Sequence, residues 1–333
     1  MQDASDAEAR LFNHTDVLLQ GHRRLLSDAE RNRSFYQALS EAVTDGSTVL
    51  DIGSGTGVWA VAAAMLGARR VVAVEYEPLL TGVIRALAEE HGVADRIEIV
   101  SGDSRRIELA REFDIVVSET VGHLVFDESI VPIMIDARER FLKPGGRLIP
   151  NAVRLKVSAA RLENSDERLP AGIPLSGSVL DRLAKNVPLA IQDRSTLTLI
   201  SEPRLLVEAD LRMVSGMPDL VEMKASWELP DVNSVNCFAV WAEADLTANV
   251  SVSAYRTTSW MPMIYQVEPF KAARGEVEFS LTLTEKTSSW RVTARDGSGL
   301  EEKSYSPAIA ATEMLTRSRP YSKVLEQLSV LPG

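Results

Sequence analysis

Apolar and polar positions alternate in two different ways along this chain. Up to about residue 150, short apolar runs bounded by glycine or an acid take turns with stretches at helical spacing. TVLDI at 48–52 reads as a buried strand and WAVAAAMLGA, from residue 59, as a helix. VVAVE at 71–75 is a second strand, RALAEEHG closes a second helix, 97–100 is a third strand, and FDIVVSET at 113–120 a fourth. Such alternation predicts a doubly wound, Rossmann-like α/β domain with a parallel sheet. FLKPGG at 141–146 stops a helix, because proline and paired glycines turn the chain, and leads into a strand over 147–150. Beyond 150 the period changes to two. RLKVSAA, NCFAVWAEADL, VSVSAY, EVEFSLTLT and SWRVTARD, separated by Gly, Pro and Asp, predict an antiparallel β domain. LSGSVLDRLAKNVPLAI at 175–191 interrupts this domain with a helical pattern.

The junction VLDIGSGTG at 49–57 has the plan of an adenosyl-cofactor site: strand, glycine-rich turn, then a helix whose N-terminus points at the ligand. Glu75 ends the next strand, where a carboxylate can accept two hydrogen bonds from a ribose diol. A nicotinamide site fits less well. The dinucleotide fingerprint G-x-G-x-x-G would need glycine where Val58 stands, and glycine falls at Gly57 instead. Asp51 would face a pyrophosphate with like charge, yet suits the cationic end of S-adenosyl-L-methionine. D-x-G-x-G-x-G through Asp51, Gly53, Gly55 and Gly57, with Glu75 later, resembles the first two motifs of class I methyltransferases. After the third strand, Asp103 and Ser104 emerge at the same sheet edge. Asp103 is a candidate acceptor for the adenine amino group, or equally a helix cap.

Composition narrows the partners. The 333 residues allow two domains, and a net charge of -11 argues against a general nucleic-acid binder and suits a cationic substrate. The lone Cys237 precludes an internal disulfide and, with four histidines, leaves little material for a metal site. The polar, acidic N-terminus resembles neither a secretory signal nor a transit peptide, and no run has the length of a membrane span, so a soluble, cytoplasmic protein is expected.

Glu119 closes the fourth strand, and Glu128 follows nine residues later across a loop containing Gly122. Two carboxylates returning to one cleft match the forked donors of a guanidinium, although two glutamates at this spacing are ordinary by themselves. Their surroundings are more specific. The run S-E-x-x-G-x-x-x-x-x-E-S followed by A-R-x-x-x-L-x-P-x-G-x-x-x-P resembles the double-glutamate loop and following helix of the protein arginine N-methyltransferase family. Ser118, Glu119, Gly122, Glu128, Ser129, Ala137, Arg138, Leu142, Pro144, Gly146 and Pro150 stand in register. Upstream, HRRLLSDAERNRSFYQAL at 22–39 resembles the family's cofactor-covering helices, with His22, Asp28 and Arg31 in register. The likeness is close over about 22–157 and looser to about 295.

That resemblance implies a layout: a cofactor-covering helical segment over 1–40 and an S-adenosyl-L-methionine-binding domain over 41–150. A β-barrel-like substrate domain over 151–300 would follow, with a dimerisation arm at about 172–192, and then a tail over 301–333. It implies that Arg31 binds the cofactor carboxylate and that Glu119 and Glu128 hold an arginine guanidinium for N-methylation. Trp260 would offer a flat wall, though it is as readily a core residue, and His123 could contact substrate or relay a proton, though packing or facing solvent is the expected place for it. A homodimer is implied as well. Two departures stand out. The family's N-terminal tyrosines are replaced by Leu11, Phe12, Asn13, His14, Thr15 and Asp16. Its Thr-His-Trp loop is Thr258, Ser259 and Trp260, so the histidine link to the acid at Asp28 is expected to be missing. Three functions remain: arginine methylation on a protein or peptide, methylation of a small molecule such as free arginine or an amine, and a non-catalytic cofactor-binding interaction protein.

Overall fold

Val49, Leu50 and Ile52 make β1 (Thr48–Ile52) an apolar strand buried at every position, which is stable only inside a sheet covered on both faces. The chain supplies that setting by alternation. α1 (Gln2–Ser27), α2 (Ala29–Ala42) and β1 are followed by α3 (Val58–Met65), β2 (Arg70–Glu75), α4 (Pro78–Glu90) and β3 (Ile97–Ser101). Then come β4 (Phe113–Ser118), α5 (Ile130–Arg140) and β5 (Leu142–Ile149). The strands form one parallel sheet in the order β3-β2-β1-β4-β5. The order reverses between β1 and β4, and open α/β sheets bind ligands in the crevice at the carboxyl ends of such a pair. The structure is a computed structural model and describes residues 2–163, 177–284, 287–297 and 299–317.

One local expectation is refined. α5 stops before Phe141, but extended backbone resumes at Leu142 and the Pro-Gly-Gly turn lies inside β5. Phe113 pairs with Leu142 and Ile115 with Arg147, so the intervening residues bulge out of the ladder.

The chain divides into two units, one of residues 1–155, 208–218 and 242–261, the other of 156–207, 219–241 and 262–333. The remaining strands are β6 (Ala152–Leu162), β7 (Leu189–Ala190), β8 (Leu197–Leu199), β9 (Arg204–Asp210), β10 (Met223–Leu229) and β11 (Cys237–Asp245). They continue as β12 (Ser251–Ser253), β13 (Met263–Gln266), β14 (Gly275–Leu283), β15 (Ser288–Asp296) and β16 (Gly299–Tyr305). As the period-two pattern predicts, these strands pair antiparallel: β10-β14-β15-β16 form one sheet, and β7-β13-β11-β6-β8 is the main path of another. In the second unit Phe238 stacks on Phe279 at 4.7 Å between ring centroids, and Tyr265 meets Trp290 edge-on at 5.0 Å. Cys237 is fully buried there and burial pushes its thiol up to about 12, in keeping with a packing role.

The helical interruption is α6 (Ser178–Ala184), and its N-terminal approach over 172–176 lies outside the described residues. α7 (Pro307–Arg317) forms in the segment for which the sequence offered no assignment, and residues 318–333 of the tail also lie outside the description. Among the described residues no helix is long and apolar enough to cross a membrane.

Candidate active site

All the groups described next belong to the first unit. After β1 the chain turns back at once: the N–H groups of Gly53 and Ser54 both donate to the Val74 carbonyl, at 2.9 and 3.1 Å. Gly55 follows with φ of 57°, and a Cβ there would stand 2.8 Å from Cε1 of His22 on α1. Only glycine combines that left-handed backbone with so close an approach. The Gly55 N–H donates to Oε2 of Glu75 at 2.6 Å, and the Glu77 N–H donates to Oε1 at 2.7 Å. Two backbone donors thus aim the Glu75 carboxylate and leave a lone pair on each oxygen. Asp51 is fully buried. Its Oδ2 accepts from the Ala60 N–H at 3.1 Å, while Oδ1 has no partner among the described residues. Burial pushes the Asp51 carboxyl up to about 7, and the charges of Glu75 and Glu119 act in the same direction.

Asp103 is committed to a cap. Its Oδ1 accepts from the Arg105 N–H and Nε at 3.0 and 3.1 Å, and Oδ2 accepts from Nη2 at 3.0 Å, closing the short turn Ser104–Arg106. Ser104 itself is buried.

A second set of contacts centres on Asp28, the N-cap of α2. Its Oδ1 accepts from the Arg31 N–H at 3.1 Å. Its Oδ2 accepts from the Thr258 and Ser259 N–H groups at 2.8 and 2.7 Å and from the Ser259 hydroxyl at 2.6 Å. No imidazole reaches Asp28 among the described residues, and the Ser259 hydroxyl with two backbone amides engages the acid in its place. Burial alone would lift the Asp28 carboxyl, but these donors outweigh it and hold the group below its ordinary value. Three residues on from this cap, Arg31 is 3% exposed and its Nη2 pairs with Glu119 Oε2. Its guanidinium lies 5.5 Å from the Trp59 ring centroid, and Trp59 stacks on Phe35 at 5.1 Å. Glu119 Oε1 accepts from the Trp260 indole N–H at 2.8 Å. Arg31 therefore orients one of the two expected guanidinium-holding acids, in addition to whatever it offers a cofactor.

Ser118 fixes the root of the glutamate loop, since its hydroxyl donates to the Ile52 carbonyl at 2.9 Å and so ties the ends of β4 and β1 together. The loop is tight. Val125 and Ser129 adopt φ of 66° and 65°, uncommon for residues with a side chain, and Val125 is fully buried. Such conformations persist where the surroundings over-determine them, as at ligand sites. Glu128 makes no hydrogen bond or ion pair among the described residues. Burial pushes its carboxyl up to about 7, with Glu119 and Asp127 adding repulsion. His123 Nδ1 accepts from the Met261 N–H at 3.3 Å, and burial, assisted by Arg24, holds its pKa below the ordinary value against the pull of Asp127.

Glu119, Gly122, Glu128, His123 and Trp260 line one cavity of about 310 Å³, with α1 supplying Val17, Leu18, His22, Arg24 and Leu25. Sequence reading singled out the acids, His123 and Trp260, and His22 through the covering-helix resemblance, but not Val17 or Leu18, which carry no motif. It also missed His14, whose Nε2 lies 2.7 Å from Glu77 Oε2. This contact ties α1 to the N-cap of α4 from within the segment where the tyrosines are absent. Among the described residues no cluster of His, Cys, Asp or Glu could hold a metal.

A family model described as a methyltransferase domain matches residues 49–146. An arginine N(omega)-methyltransferase of Streptomyces achromogenes subsp. streptozoticus is 32% identical over 268 residues, covering 75% of this chain and 73% of that one. Protein arginine N-methyltransferase 6 of Danio rerio is 26% identical over 311 residues, covering 86% and 88%. Among solved structures, the PRMT1 enzyme-prozyme heterotetrameric complex with AdoHcy from Trypanosoma brucei superposes with a TM-score of 0.73 at 21% identity, over 85% of this chain and 96% of that one. Arabidopsis thaliana protein arginine methyltransferase 10 superposes at 0.69 and 19% identity, over 85% and 96%. At these identities the superpositions establish the fold.

Proposed function

The chain belongs to the protein arginine N-methyltransferase family, and on that premise we propose that Glu119 and Glu128 jointly hold the guanidinium of its substrate for methyl transfer. The activity itself is S-adenosyl-L-methionine-dependent arginine methylation. The residues present fit that cofactor. Asp51 presents a buried oxygen without a partner, suited to a cationic ligand end, and Glu75 keeps acceptor capacity for a diol. In this reading Asp51, Gly53, Gly55, Gly57 and Glu75 form the main cofactor cradle, Arg31 takes its carboxylate, and Asp103 and Ser104 border the adenine. When bound, the cofactor supplies a methyl group activated by a sulfonium.

What carries the proposal is Glu128, a cavity-lining carboxylate with no cation of its own beside a second carboxylate already held by Arg31 and Trp260. A guanidinium entering between them offsets the desolvation and the repulsion that raise Glu128 and satisfies its acceptors with forked N–H donors. Glu119 cannot swing away, so the pair fixes which guanidino nitrogen faces the methyl donor. A guanidinium cannot lose its proton beforehand, so the proton leaves with or after attack. Glu128, ionised beside the bound guanidinium, accepts it from the nitrogen it holds. His123, neutral and accepting at Nδ1, lines the route outward.

The test is transfer of labelled methyl to arginine-containing proteins, peptides and free arginine, compared with Glu128→Gln. The variant is expected to bind cofactor normally and to lose about 10²–10³-fold in kcat. Unchanged turnover would remove Glu128 from the chemistry. Two acceptor classes are kept. The family favours arginine in a protein or peptide, while the small cavity and the relative named for arginine alone favour the free amino acid. The exposed apolar residues Val179, Leu180, Val187 and Leu189 on and after α6 support a homodimer through this arm.

A further inference from the structure

This cavity holds one carboxylate without a cation, Glu128, beside Glu119 that Arg31 already pairs, yet its wall also carries a further positive charge. Arg24, in the last turn of α1, lines the same cavity, and its guanidinium makes no hydrogen bond or ion pair among the described residues. Its field reaches His123. The other cation close by, Arg31, is committed to Glu119, and burial holds His22 and His123 toward their neutral forms. An unpaired guanidinium beside a pocket for guanidinium repels the substrate, and the more so if the substrate is a cationic peptide. That charge favours binding only if the acceptor brings an anion of its own. An arginine inside a peptide offers neutral amides at the foot of its side chain. An arginine with a free α-carboxylate offers the forked acceptor that arginine recognises best.

We infer that Arg24 binds the α-carboxylate of the acceptor, so that this enzyme methylates arginine bearing a free carboxylate. The inference rests on the reading of Glu119 and Glu128 as the guanidinium holders and assigns the other end of the same substrate. The ligand chemistry is a guanidinium and a carboxylate separated by one arginine side chain. It has two sources, the free amino acid and the C-terminal arginine of a peptide. At about 310 Å³ the cavity stands at the small end of the roughly 300–1,000 Å³ typical of small-molecule clefts, which favours the free amino acid. Arg24 is a binding residue that sets specificity and takes no part in proton movement.

The experiment uses the full chain with S-adenosyl-L-methionine and five acceptors: L-arginine, L-argininamide, agmatine, a short peptide ending in arginine, and that peptide amidated. Wild type is expected to prefer L-arginine over its amide and agmatine by about ten- to hundred-fold in kcat/KM, the weight of one charge-assisted pair. Arg24→Ala should raise KM for L-arginine by that factor while leaving agmatine as good a substrate or better, since the repulsion is gone, and Arg24→Lys should recover part of the loss with L-arginine. Preference for the free-carboxylate peptide over its amide, at an efficiency equal to L-arginine, would identify C-terminal arginine as the source. Equal use of arginine, amide and agmatine overturns the inference, as does an unaltered KM in Arg24→Ala. Loss of agmatine methylation in the same variant overturns it too, by making Arg24 structural. Each of those results leaves Glu119 and Glu128 standing. Transfer to no guanidine at all, with cofactor bound, brings down the parent reading instead.

Discussion

Glu128 is an exposed but partly desolvated carboxylate crowded by Glu119 and Asp127, and no cation pairs with it, so in the absence of ligand its ionisation works against folding. Below the unfolded value of 4.5 it is protonated in both states and costs nothing. As pH rises from there to about 7, the unfolded chain loses this proton while the folded chain keeps it, so stability falls over that range, by an amount that solvent screening of this exposed residue reduces. Glu128→Gln is therefore expected to melt above wild type at pH 8, with the difference closing by about pH 4. A difference independent of pH would trace to packing instead. Because a cationic substrate prefers the ionised acid, kcat/KM of wild type should rise through about pH 7. Asp28 shows the opposite case, since its donors hold it low and its contribution to stability is present at neutral pH and lost as pH falls through its folded value. Ser259→Ala removes the shortest of those bonds, and about 1.5–3 kcal/mol of stability near neutral pH is expected to go with it in denaturant titrations. An unchanged midpoint would mean that the two backbone donors suffice.

The loop between β4 and α5 delivers the two acids, and its shape depends on a residue that bears no chemistry. Gly122 has φ of 65°, and a Cβ there would stand 2.1 Å from Asp127 Oδ1 and 3.1 Å from Glu128 Cγ. Gly122→Ala is expected to displace Glu128 and cut arginine methylation at least tenfold, because an added methyl must push the carboxylates apart or twist the backbone. Cofactor affinity, measured by calorimetry, should stay the same, since Asp51 and Glu75 stand on other strands. Equal losses in both would mean that the loop also supports the cofactor cradle. The elements that deliver these groups were legible because β1, β2 and β4 are largely apolar strands with an acid or a serine at or next to their carboxyl ends. A strand end is where a sheet presents chemistry. Less legible were pairings set by approach. Ser259 reaches Asp28 across 231 residues of sequence, and Arg31 reaches Glu119 across 88. No local pattern records such meetings. Most of the wall that α1 adds to the cavity was invisible too, because Val17, Leu18 and Arg24 are ordinary positions on an amphipathic helix until the helix is packed.

At the scale of the whole molecule, the exposed apolar side chains of α6 and its sequel must be reconciled with a net charge of -11. Like charge on two copies opposes association beyond contact distance, so a stable dimer has to draw its affinity from apolar burial. Val179, Leu180, Val187 and Leu189 are 43%, 57%, 49% and 46% exposed, enough that covering them removes substantial apolar surface from water. Because so much of each is already exposed, replacing Leu180 by Glu takes little from the fold of one copy and much from an interface between two. Sedimentation at micromolar concentration should therefore give a dimer for wild type and a monomer for Leu180→Glu. The change should come without a comparable change in the helix and sheet signals of circular dichroism. Salt sharpens the distinction. Screening weakens the repulsion between two acidic copies while leaving apolar burial intact, so wild-type association should tighten as salt rises, whereas an interface held by ion pairs would loosen. A wild-type monomer at both salt concentrations would assign these side chains to some other cover and end the homodimer reading.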